Sequence, residues 1–480
     1  MKNITIFVGS ENKGLNISIG HVLAEEYLHN VTFIVSNAYA ENEVKKKYES
    51  ANILNFSSID VSVDENSVMD IALKIEKEYN INISSIMASK RDFGRGYLVN
   101  IGKFPVLGRS RWSYKKKMIF VVSKILKWIN ILDNQDIYIQ KWIDRIPLFI
   151  ANTNNISTFS LVPVKYGDRF MWSDDGYNSS SSFIKAIKDN ITNSEFTDNS
   201  ELSYDFIPEG TTKLLNSKAK YTYRYAFKHA YYLALNEVKK ILLRTKDSSG
   251  YDYFSWVPTA FNSVYNYKFL RKIGATPSML ENYKIVYFPL HLEPEQSLLN
   301  LSPEFGNIAE AIHLISKNLP CNYVLVLKEQ PFCYAVRSNS FYKQMLQIGN
   351  VYIANSEIDS QEWINASDIV ATITGTVGVE AVYSNKPVIS FGMHQAINEL
   401  PSVFQVSNFS EVERSIKNIT SGYIGHEVLL LSKISLRNAQ LNASFNLEEY
   451  KDQIKSSLLS INSAKIIVDR LMSEYGNKFE

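Results

Sequence analysis

The segment 369–392 constrains the fold of this chain more than any other, and it reads IVATITGTVGVEAVYSNKPVISFG. The β-branched, apolar run at 369–373 is typical of a buried parallel strand. A tight turn follows, then a short stretch with helical character, and a second apolar run at 388–391. Strand, turn, helix and strand in this order predict one unit of a parallel α/β sheet.

The turn in this segment, Thr374-Gly375-Thr376, offers two hydroxyls and backbone N–H groups at a helix start. Such a helix start attracts anions because its first amides lack partners. Glu380 follows Thr376 by four residues, about one helical turn further along the same face. A phosphate at the turn and a ribose hydroxyl at the carboxylate would together form a nucleotide site. The alternative is a capped surface helix with no ligand.

Length and composition limit the class of protein. A chain of 480 residues is long enough for two or more domains with large cores. The formal net charge is +2, which gives no reason to expect a nucleic-acid partner. The two cysteines favour a reducing compartment, and the short apolar run after Met1 is typical of a first strand rather than a signal peptide. We therefore expect a cytoplasmic protein without a membrane-spanning helix.

The first half begins like a doubly wound domain. Strands are predicted at Ile4–Val8 and Val31–Val35, with a helix through His21–Leu28 between them. The first loop lacks a G-x-G-x-x-G fingerprint, so no dinucleotide site is predicted there. Further along, Asp136–Ile139 is interpreted as a surface turn, and strands are predicted at Leu148–Ala151 and Ser160–Val164.

The middle of the chain is unusual in composition. Residues 178–205 are rich in Ser, Asn, Thr and Asp and predict a loop with a weak helix. The stretch 213–245 predicts a long helix that is dense in Lys, Arg and Tyr. One interpretation is an amphipathic helix with tyrosines at the edge of the core. The other is a basic, aromatic face that lies against anionic lipid headgroups or a glycolipid, as a peripheral contact.

A second α/β unit is predicted from residue 281. Its strands lead into three polar loops, and ligands of open parallel sheets bind where strands end. The loops are His291–Ser297, Lys328–Pro331 and Thr374–Thr376. Because the carboxyl ends of parallel strands share one edge, we expect these loops to lie together. After residue 440 the sequence predicts polar helices.

Three sequence blocks resemble the bacterial capsule polysaccharide biosynthesis family. They are YFPLHLEPEQS at 287–297, VLKEQP at 326–331, and ITGTVGVEA with KPVISFG between 373 and 392. This family contains the retaining Kdo transferases of capsules and O-antigens. The resemblance implies a GT-B glycosyltransferase, in which two Rossmann-like domains face each other across a cleft. It also implies an activated sugar donor on the C-terminal domain and a growing glycan on the N-terminal one.

The resemblance assigns roles to individual residues. Glu295 corresponds to the catalytic carboxylate of the acidic loop, with Glu293 as the alternative and His291 at the start of the same loop. Donor contacts are implied for the residues of the other two loops. They are Lys328, Gln330, Pro331, Thr374, Gly375, Thr376 and Glu380. Gln330 stands where the family usually has histidine. Glutamine can donate a hydrogen bond to phosphate but carries no charge, so the donor sugar is left open.

Basic loops of the first half are candidates for binding an anionic acceptor, or are solvated connectors. The acceptor candidates are Arg91, Asp92, Arg109 and Arg169. No His, Cys or Asp spacing predicts a metal site, and no Asp-x-Asp pattern indicates a metal-bound nucleotide, so neither metal nor cofactor is expected.

The expected organisation has three parts. Residues 1–280 form the acceptor domain with a helical insertion at about 178–275, residues 281–440 the donor domain, and residues 441–480 helices that pack back on the first domain. The expected function is glycosyl transfer from a nucleotide-sugar or other activated donor to a glycan or lipid-linked glycan, with peripheral contact to the inner membrane or to polysaccharide assembly proteins. The alternatives are an isomerase resembling UDP-sugar 2-epimerases and a non-catalytic glycan-binding or export protein of the same fold.

Overall fold

Strands alternate with helices in both halves of the chain. The computed structural model describes residues 1–9, 13–90, 112–140, 144–177, 179–193, 221–242, 254, 256–293, 296–331, 333–447 and 461–480. Two structural units are present. The first comprises Met1–Ile86, Tyr114–Asn190 and Arg437–Glu480, and the second Met87–Ser113 and Ile191–Leu436.

The sheet of the first unit has seven strands, numbered in chain order, in the order β13-β6-β5-β4-β1-β2-β3. Its five strands from β5 to β3 are parallel, while β6 and β13 join the β5 edge in antiparallel pairs. The strands are β1 Asn3–Val8, β2 Asn30–Val35, β3 Asn52–Asn55, β4 Ile137–Gln140, β5 Ser157–Pro163, β6 Arg169–Ser173 and β13 Phe445–Asn446.

Helices cover this first sheet. They are α1 Lys13–Glu25, α2 Ala38–Lys47, α3 Val68–Tyr79, α4 Ile83–Ser89, α5 Tyr114–Leu132, α6 Arg145–Thr153 and α7 Ser181–Asn193, with α18 Ile461–Tyr475 near the end of the chain. Helix α18 packs on α1 and contributes Ile467 and Leu471 to the core of this unit. Trp172 of β6 donates its indole N–H to the carbonyl of Ile467, which fixes α18 beside the sheet.

The sheet of the second unit has six strands, all parallel, in the order β12-β11-β10-β7-β8-β9. Its strands are β7 Lys284–Pro289, β8 Tyr323–Lys328, β9 Val351–Ile353, β10 Ile369–Thr372, β11 Val388–Ser390 and β12 Val403–Gln405. Its helices are α8 Tyr223–Leu242, α9 Val257–Ile273, α10 Gln296–Leu301, α11 Ile308–Ser316, α12 Cys333–Val336, α13 Asn339–Met345, α14 Ser360–Ala366, α15 Val377–Tyr383 and α16 Phe409–Thr420; α17 is His426–Asn442. The α/β class and the two parallel-dominated, Rossmann-like sheets expected from the sequence are confirmed.

The interior of the second unit explains why its strands are apolar. Strand β10 is buried along its whole length, and β7 and β8 are buried except at their first residues and at Pro289. Helices cover the sheet and hide residues such as Phe288, Leu327 and Ile312 from water. Strands buried on both faces show continuous apolar runs rather than alternation.

Two sequence interpretations in the first unit were wrong. Asp136–Ile139 is no surface turn, because Ile137–Gln140 is the buried strand β4 between β1 and β5. Leu148–Ala151 is no strand and belongs to helix α6. The Asp144 side chain accepts a hydrogen bond from the amide of Ile146 and starts this helix, as an N-cap residue does.

The division of the chain also differs from the boundary expected at residue 280. Helices α8 and α9, which belong to the segment expected as an insertion of the first domain, are part of the second unit. Helix α9 packs on α12, and Asn266 donates to the carbonyls of Tyr334 and Arg337, both at 2.8 Å. These contacts hold the helical segment to the C-terminal sheet.

Within the described ranges, no helix combines the length and the apolar character needed to cross a membrane.

Candidate functional site

Three polar loops of the second unit meet at the carboxyl edge of its sheet. Strand β7 pairs with β8 on one side and with β10 on the other. The chain leaves these neighbouring strands at Leu290, Glu329 and Ile373, so the three loops start side by side. This is the edge at which open parallel sheets bind their ligands.

His291 connects the first loop to the third. Its imidazole is buried, and its Nε2 accepts a hydrogen bond from the backbone N–H of Ile373 at 3.2 Å. A nitrogen that accepts from an amide carries no proton, so this contact assigns the ring proton to Nδ1. His291 therefore fixes the position of the β10 loop, and its Nε2 is not free to transfer a proton.

Arg337, which follows α12, connects the first loop to the second. Its Nε donates to Glu329 and its Nη2 to the carbonyl of His291, both at 2.5 Å, and its Nη1 donates to Glu293. Burial alone would lower the pKa of this guanidinium, but the charges of Glu329 and Glu293 raise it well above its ordinary value. One buried cation thus holds the starts of two loops together.

Glu293 is held at both carboxylate oxygens. Oε1 accepts from the backbone N–H of Ile308 at 3.0 Å, at the start of α11, and Oε2 accepts from Arg337. A carboxylate at the first turn of a helix is favoured by the helix dipole. Both oxygens of Glu293 are thus engaged in contacts that position the loop.

Glu329 was not singled out from the sequence, although it lies between two residues that were. Its Oε1 accepts from the amide of Gln330, and its Oε2 accepts from Arg337 and from the Tyr342 hydroxyl at 2.8 Å. Burial and the negative charge of Glu329 raise the pKa of Tyr342 well above its usual range, so this phenol remains a donor. Nothing in the spacing of Glu329, Arg337 and Tyr342 indicated that they pair.

Lys328 differs from these residues because its charge has no bonded partner. The residue ends β8 and is 7% exposed, and within the described parts of the chain no hydrogen bond or ion pair is found for its ammonium group. Its pKa is lowered from 10.5 to about 8. Desolvation causes this decrease, and the negative charges of Asp359, Glu329 and Glu362 offset only part of it. Burying a cation without a partner costs free energy. Such a group, with a strongly shifted pKa, is therefore a candidate for a functional residue.

Tyr287, Asp359 and Glu380 lie near one another at the same end of the sheet. Burial raises the pKa of the Tyr287 phenol most, and the charges of Glu380 and Asp359 raise it further. Asp359 also acts on Lys328. The β8 end, the start of α14 and the β10 turn are therefore within electrostatic range of one another.

The β10 turn is compact, and its two predicted polar residues interact. The Thr376 hydroxyl donates to Oε1 of Glu380 at 2.9 Å, and the amide of Gly375 donates to the Thr372 hydroxyl at 3.1 Å. A Cβ atom at position 375 would lie 3.0 Å from Oγ1 of Thr372 and 3.2 Å from Cε1 of His291. Glycine thus allows the turn to approach the imidazole closely.

Gln395 supports this turn from the next loop. Its Nε2 donates to the carbonyl of Ile373 at 2.5 Å and to the Ser390 hydroxyl at 3.1 Å. A Cβ atom at Gly392 would lie 2.1 Å from the same Ile373 carbonyl, so the close approach requires glycine. Neither residue was singled out from the sequence.

Of the remaining predicted site residues, some lie at this edge and some outside the described residues. Gln330 and Pro331 are half-buried just beyond Lys328, and the carbonyl of Gln330 accepts from the amide of Cys333. Thr374 lies in the β10 turn. Glu295, Arg91, Asp92 and Arg109 lie outside the described residues.

Arg169, one of the acceptor candidates, makes four hydrogen bonds within the first unit. Its Nε donates to the Gln440 carbonyl and the Ser444 hydroxyl, both at 2.8 Å, and its Nη2 donates to the carbonyls of Leu441 and Ser444. Basic side chains at a helix C-terminus satisfy its free carbonyls. Arg169 thus joins β6 to the end of α17.

Among the described residues, no three His, Cys, Asp or Glu side chains form a group that could hold a metal ion.

Several known structures show weak similarity to this chain. KpsC of Thermosulfurimonas dismutans, a β-Kdo 2,7-transferase, is 11% identical with a TM-score of 0.30, covering 84% of this chain and 89% of that one. Anabaena Alr3699/HepE in complex with UDP-glucose is 10% identical with a TM-score of 0.28, covering 95% of this chain and 99% of that one. S. aureus MnaA with UDP is 11% identical with a TM-score of 0.27, covering 100% of this chain and 98% of that one. These low values carry no information on the donor or reaction of this chain.

The sequence of the second unit is similar to a known protein family. No curated protein matches the chain. Residues 199–399 match the family described as "Capsule polysaccharide biosynthesis protein". The matched segment includes all three loops, so the similarity of this chain to that family covers the candidate site.

Proposed function

We propose that this chain is a glycosyltransferase of surface polysaccharide synthesis, and that the carboxyl edge of its second sheet binds the activated sugar donor. The family match supports a role in polysaccharide synthesis. The observation that carries the donor site is Lys328, a buried cation that lacks a bonded partner among the described residues.

Phosphate is the ligand that suits this cation. Glu329 lies close enough to raise the pKa of Lys328, but its oxygens already accept from Gln330, Arg337 and Tyr342. A donor phosphate would supply the missing negative charge. Charge-assisted hydrogen bonds of this kind are about twice as strong as neutral ones.

The β10 turn supports a nucleotide rather than phosphate alone. Glu380 stands one helical turn after Thr374–Thr376, and a carboxylate there could accept from ribose hydroxyls. Its Oε1 accepts from Thr376, which orients the carboxylate. We propose a nucleotide sugar as donor, with Lys328 at the phosphates and Glu380 at the ribose.

The chemical step is assigned to Glu295. The resemblance places a catalytic carboxylate in this loop, and Glu293 is occupied by structural contacts. Glu295 would stabilise an oxocarbenium-like centre or attack the anomeric carbon. We propose a glycan or lipid-linked glycan as acceptor. The free cysteines, Cys321 and Cys333, support a cytoplasmic location.

A ligand screen tests the donor proposal. The full chain is heated with CMP, UDP, GDP and ribose phosphates, and a bound nucleotide should raise the melting temperature by mass action. Lys328→Met should abolish that rise. The matched control is Lys284→Met, which changes a lysine at the opposite, amino end of β7.

A donor assay tests the reaction. The protein is incubated with nucleotide sugars of the nucleotide that binds, and we expect slow release of the free sugar. Interconversion of intact nucleotide sugars would instead identify an isomerase. Binding with neither reaction, even with lipid-linked glycans added, would contradict the transferase assignment.

A further inference from the structure

Helix α8 packs through one narrow stripe of small residues. Ala226 and Ala230 are buried against Ala260 and Val264 of α9. Glu237 lies on the same stripe, is buried, and pairs with Lys240 at 2.8 Å. The helix has 20 residues and the buried ones are few, so most of its circumference faces outward.

The outward face of α8 is rich in large apolar and aromatic side chains. Phe227 is 66% exposed, Tyr231 63% and Leu242 75%. The other exposed residues of this kind on α8 are Tyr223, Tyr225, Tyr232, Val238 and Ile241. Single exposed apolar residues are normal, but a concentration on one helix marks an interaction surface.

Basic residues run through the same face. Residues 224, 228, 231, 235, 239 and 242 follow the spacing of one helical stripe, and they are Arg, Lys, Tyr, Leu, Lys and Leu. The stripe lies opposite the Ala226–Ala230 side at 100° per residue. The basic and the apolar side chains of this stripe therefore lie together on the side of α8 that faces away from α9.

The acidic residues of the two packed helices do not balance these charges. Helix α8 contains four Lys or Arg and one acid, the buried Glu237, while α9 contains three Lys or Arg and no acid. Of the α9 cations, Arg271 pairs with Glu357 and Lys268 lies over the ring of Tyr223. The outward face therefore has a net positive charge.

We propose that the outward face of α8 binds the surface of a bilayer that contains anionic lipids. Tyrosines suit the headgroup region because each has an apolar ring and a polar tip. Lys and Arg side chains can bury their stems and keep their charges among the headgroups. A helix with this mixture lies in the plane of the interface. The inference does not depend on the proposed donor chemistry.

Vesicle sedimentation of the full chain tests this inference. We expect binding to vesicles of phosphatidylcholine with phosphatidylglycerol, little binding to pure phosphatidylcholine, and weaker binding as salt is added. The charge variant combines Arg224→Glu, Lys228→Glu and Lys239→Glu. It should weaken binding about a hundredfold or more, because each basic group near an anionic surface contributes about a factor of five.

The control replaces three exposed lysines of the first unit with glutamate, at Lys74, Lys77 and Lys115. It changes the net charge of the protein by the same amount as the charge variant. It should bind vesicles nearly like the wild type. A second variant combines Phe227→Ser, Tyr231→Ser and Leu242→Ser, and should bind weakly even at low salt. Circular dichroism verifies that each variant is folded.

Three outcomes would overturn the inference. The first is no binding of the wild type to anionic vesicles. The second is an equal loss of binding in the charge variant and in its control. The third is self-association in sedimentation equilibrium that the Phe227, Tyr231 and Leu242 changes abolish while vesicle binding is unaffected, which would assign this face to a second copy of the chain.

Discussion

Arg337 and Glu329 form an ion pair inside the second unit, with Nε of the arginine 2.5 Å from Oε2 of the glutamate and side chains 4% and 1% exposed. The same guanidinium reaches Glu293 and the His291 carbonyl. It therefore connects the loops that follow β7 and β8. A rigid arrangement of this kind positions the groups of a binding site.

The first prediction concerns Arg337→Met. The change leaves Glu329 buried without its cation, so the free energy of unfolding should fall by about 3–5 kcal/mol. Urea denaturation measures the loss. The matched control is Arg271→Met, whose ion pair with Glu357 is largely exposed and should contribute about 1 kcal/mol or less. Equal effects of the two changes would contradict the assigned role of the buried pair.

The second prediction is that Lys328→Met makes the ligand-free protein more stable. Lys328 has a pKa of about 8 in the fold and 10.5 as its ordinary value, so the unfolded chain binds more protons between these pH values. Stability should therefore rise with pH across this window, and the full penalty, about 3 kcal/mol, is present below pH 8. The gain from Lys328→Met should be largest at pH 7 and shrink towards pH 10.

Lys284→Met is the control for this measurement. Lys284 is exposed and pairs with Asp368 at the other end of the sheet, so its removal should give little change or a slight loss of stability. A destabilised Lys328→Met protein at pH 7 would show that the ammonium group has a partner in the folded state.

The third prediction is a pH dependence of nucleotide binding. Only the protonated form of Lys328 can pair with phosphate, and its pKa in the free protein is about 8. The affinity measured by calorimetry should be nearly constant below pH 7 and fall above pH 8, by at most about tenfold per pH unit. The same titration with Lys328→Arg should remain flat, because arginine stays charged.

The sequence predicted the second sheet well because its strands are apolar, continuous and separated by polar loops. The predicted strands at 369–373 and 388–391 each end one residue beyond the observed strands β10 and β11. The convergence of the three loops followed from the parallel topology alone. Periodicity and topology determine these features, and both can be inferred from one sequence.

Other features depend on contacts between distant parts of the chain. Strand β4 has four residues, too few for a recognisable pattern, and its identity comes from pairing with β1 and β5. The pairing of Arg337 with Glu293 spans 44 residues, and nothing local predicts it. Helix α6 was the exception, since Asp144 and Pro147 provided a helix-start signal that was overlooked.

The fourth prediction concerns Glu380→Ala. If Glu380 accepts from ribose, nucleotide binding should weaken by about 1–3 kcal/mol, the range for an unpaired polar partner. Thr376→Val removes the hydroxyl that donates to Glu380 and should weaken binding less, because the carboxylate remains. Isothermal titration with the nucleotide measures both. Unchanged affinity in Glu380→Ala would eliminate the ribose assignment.

The last prediction separates chemistry from positioning within one loop. Glu295→Gln keeps the shape of the side chain and removes its charge, so donor binding and stability should be nearly unchanged. Loss of a nucleophile or of an oxocarbenium-stabilising charge should lower turnover by about two or more orders of magnitude, roughly 3 kcal/mol of barrier.

Glu293→Gln is the comparison for this test. Glu293 accepts from Ile308 and from the guanidinium of Arg337, so its neutralisation should first appear as a lower free energy of unfolding. Turnover of the folded fraction should fall less than in Glu295→Gln. Single-turnover donor hydrolysis together with urea denaturation distinguishes the two effects. A stable Glu293→Gln protein without turnover, beside an active Glu295→Gln protein, would transfer the catalytic role to Glu293.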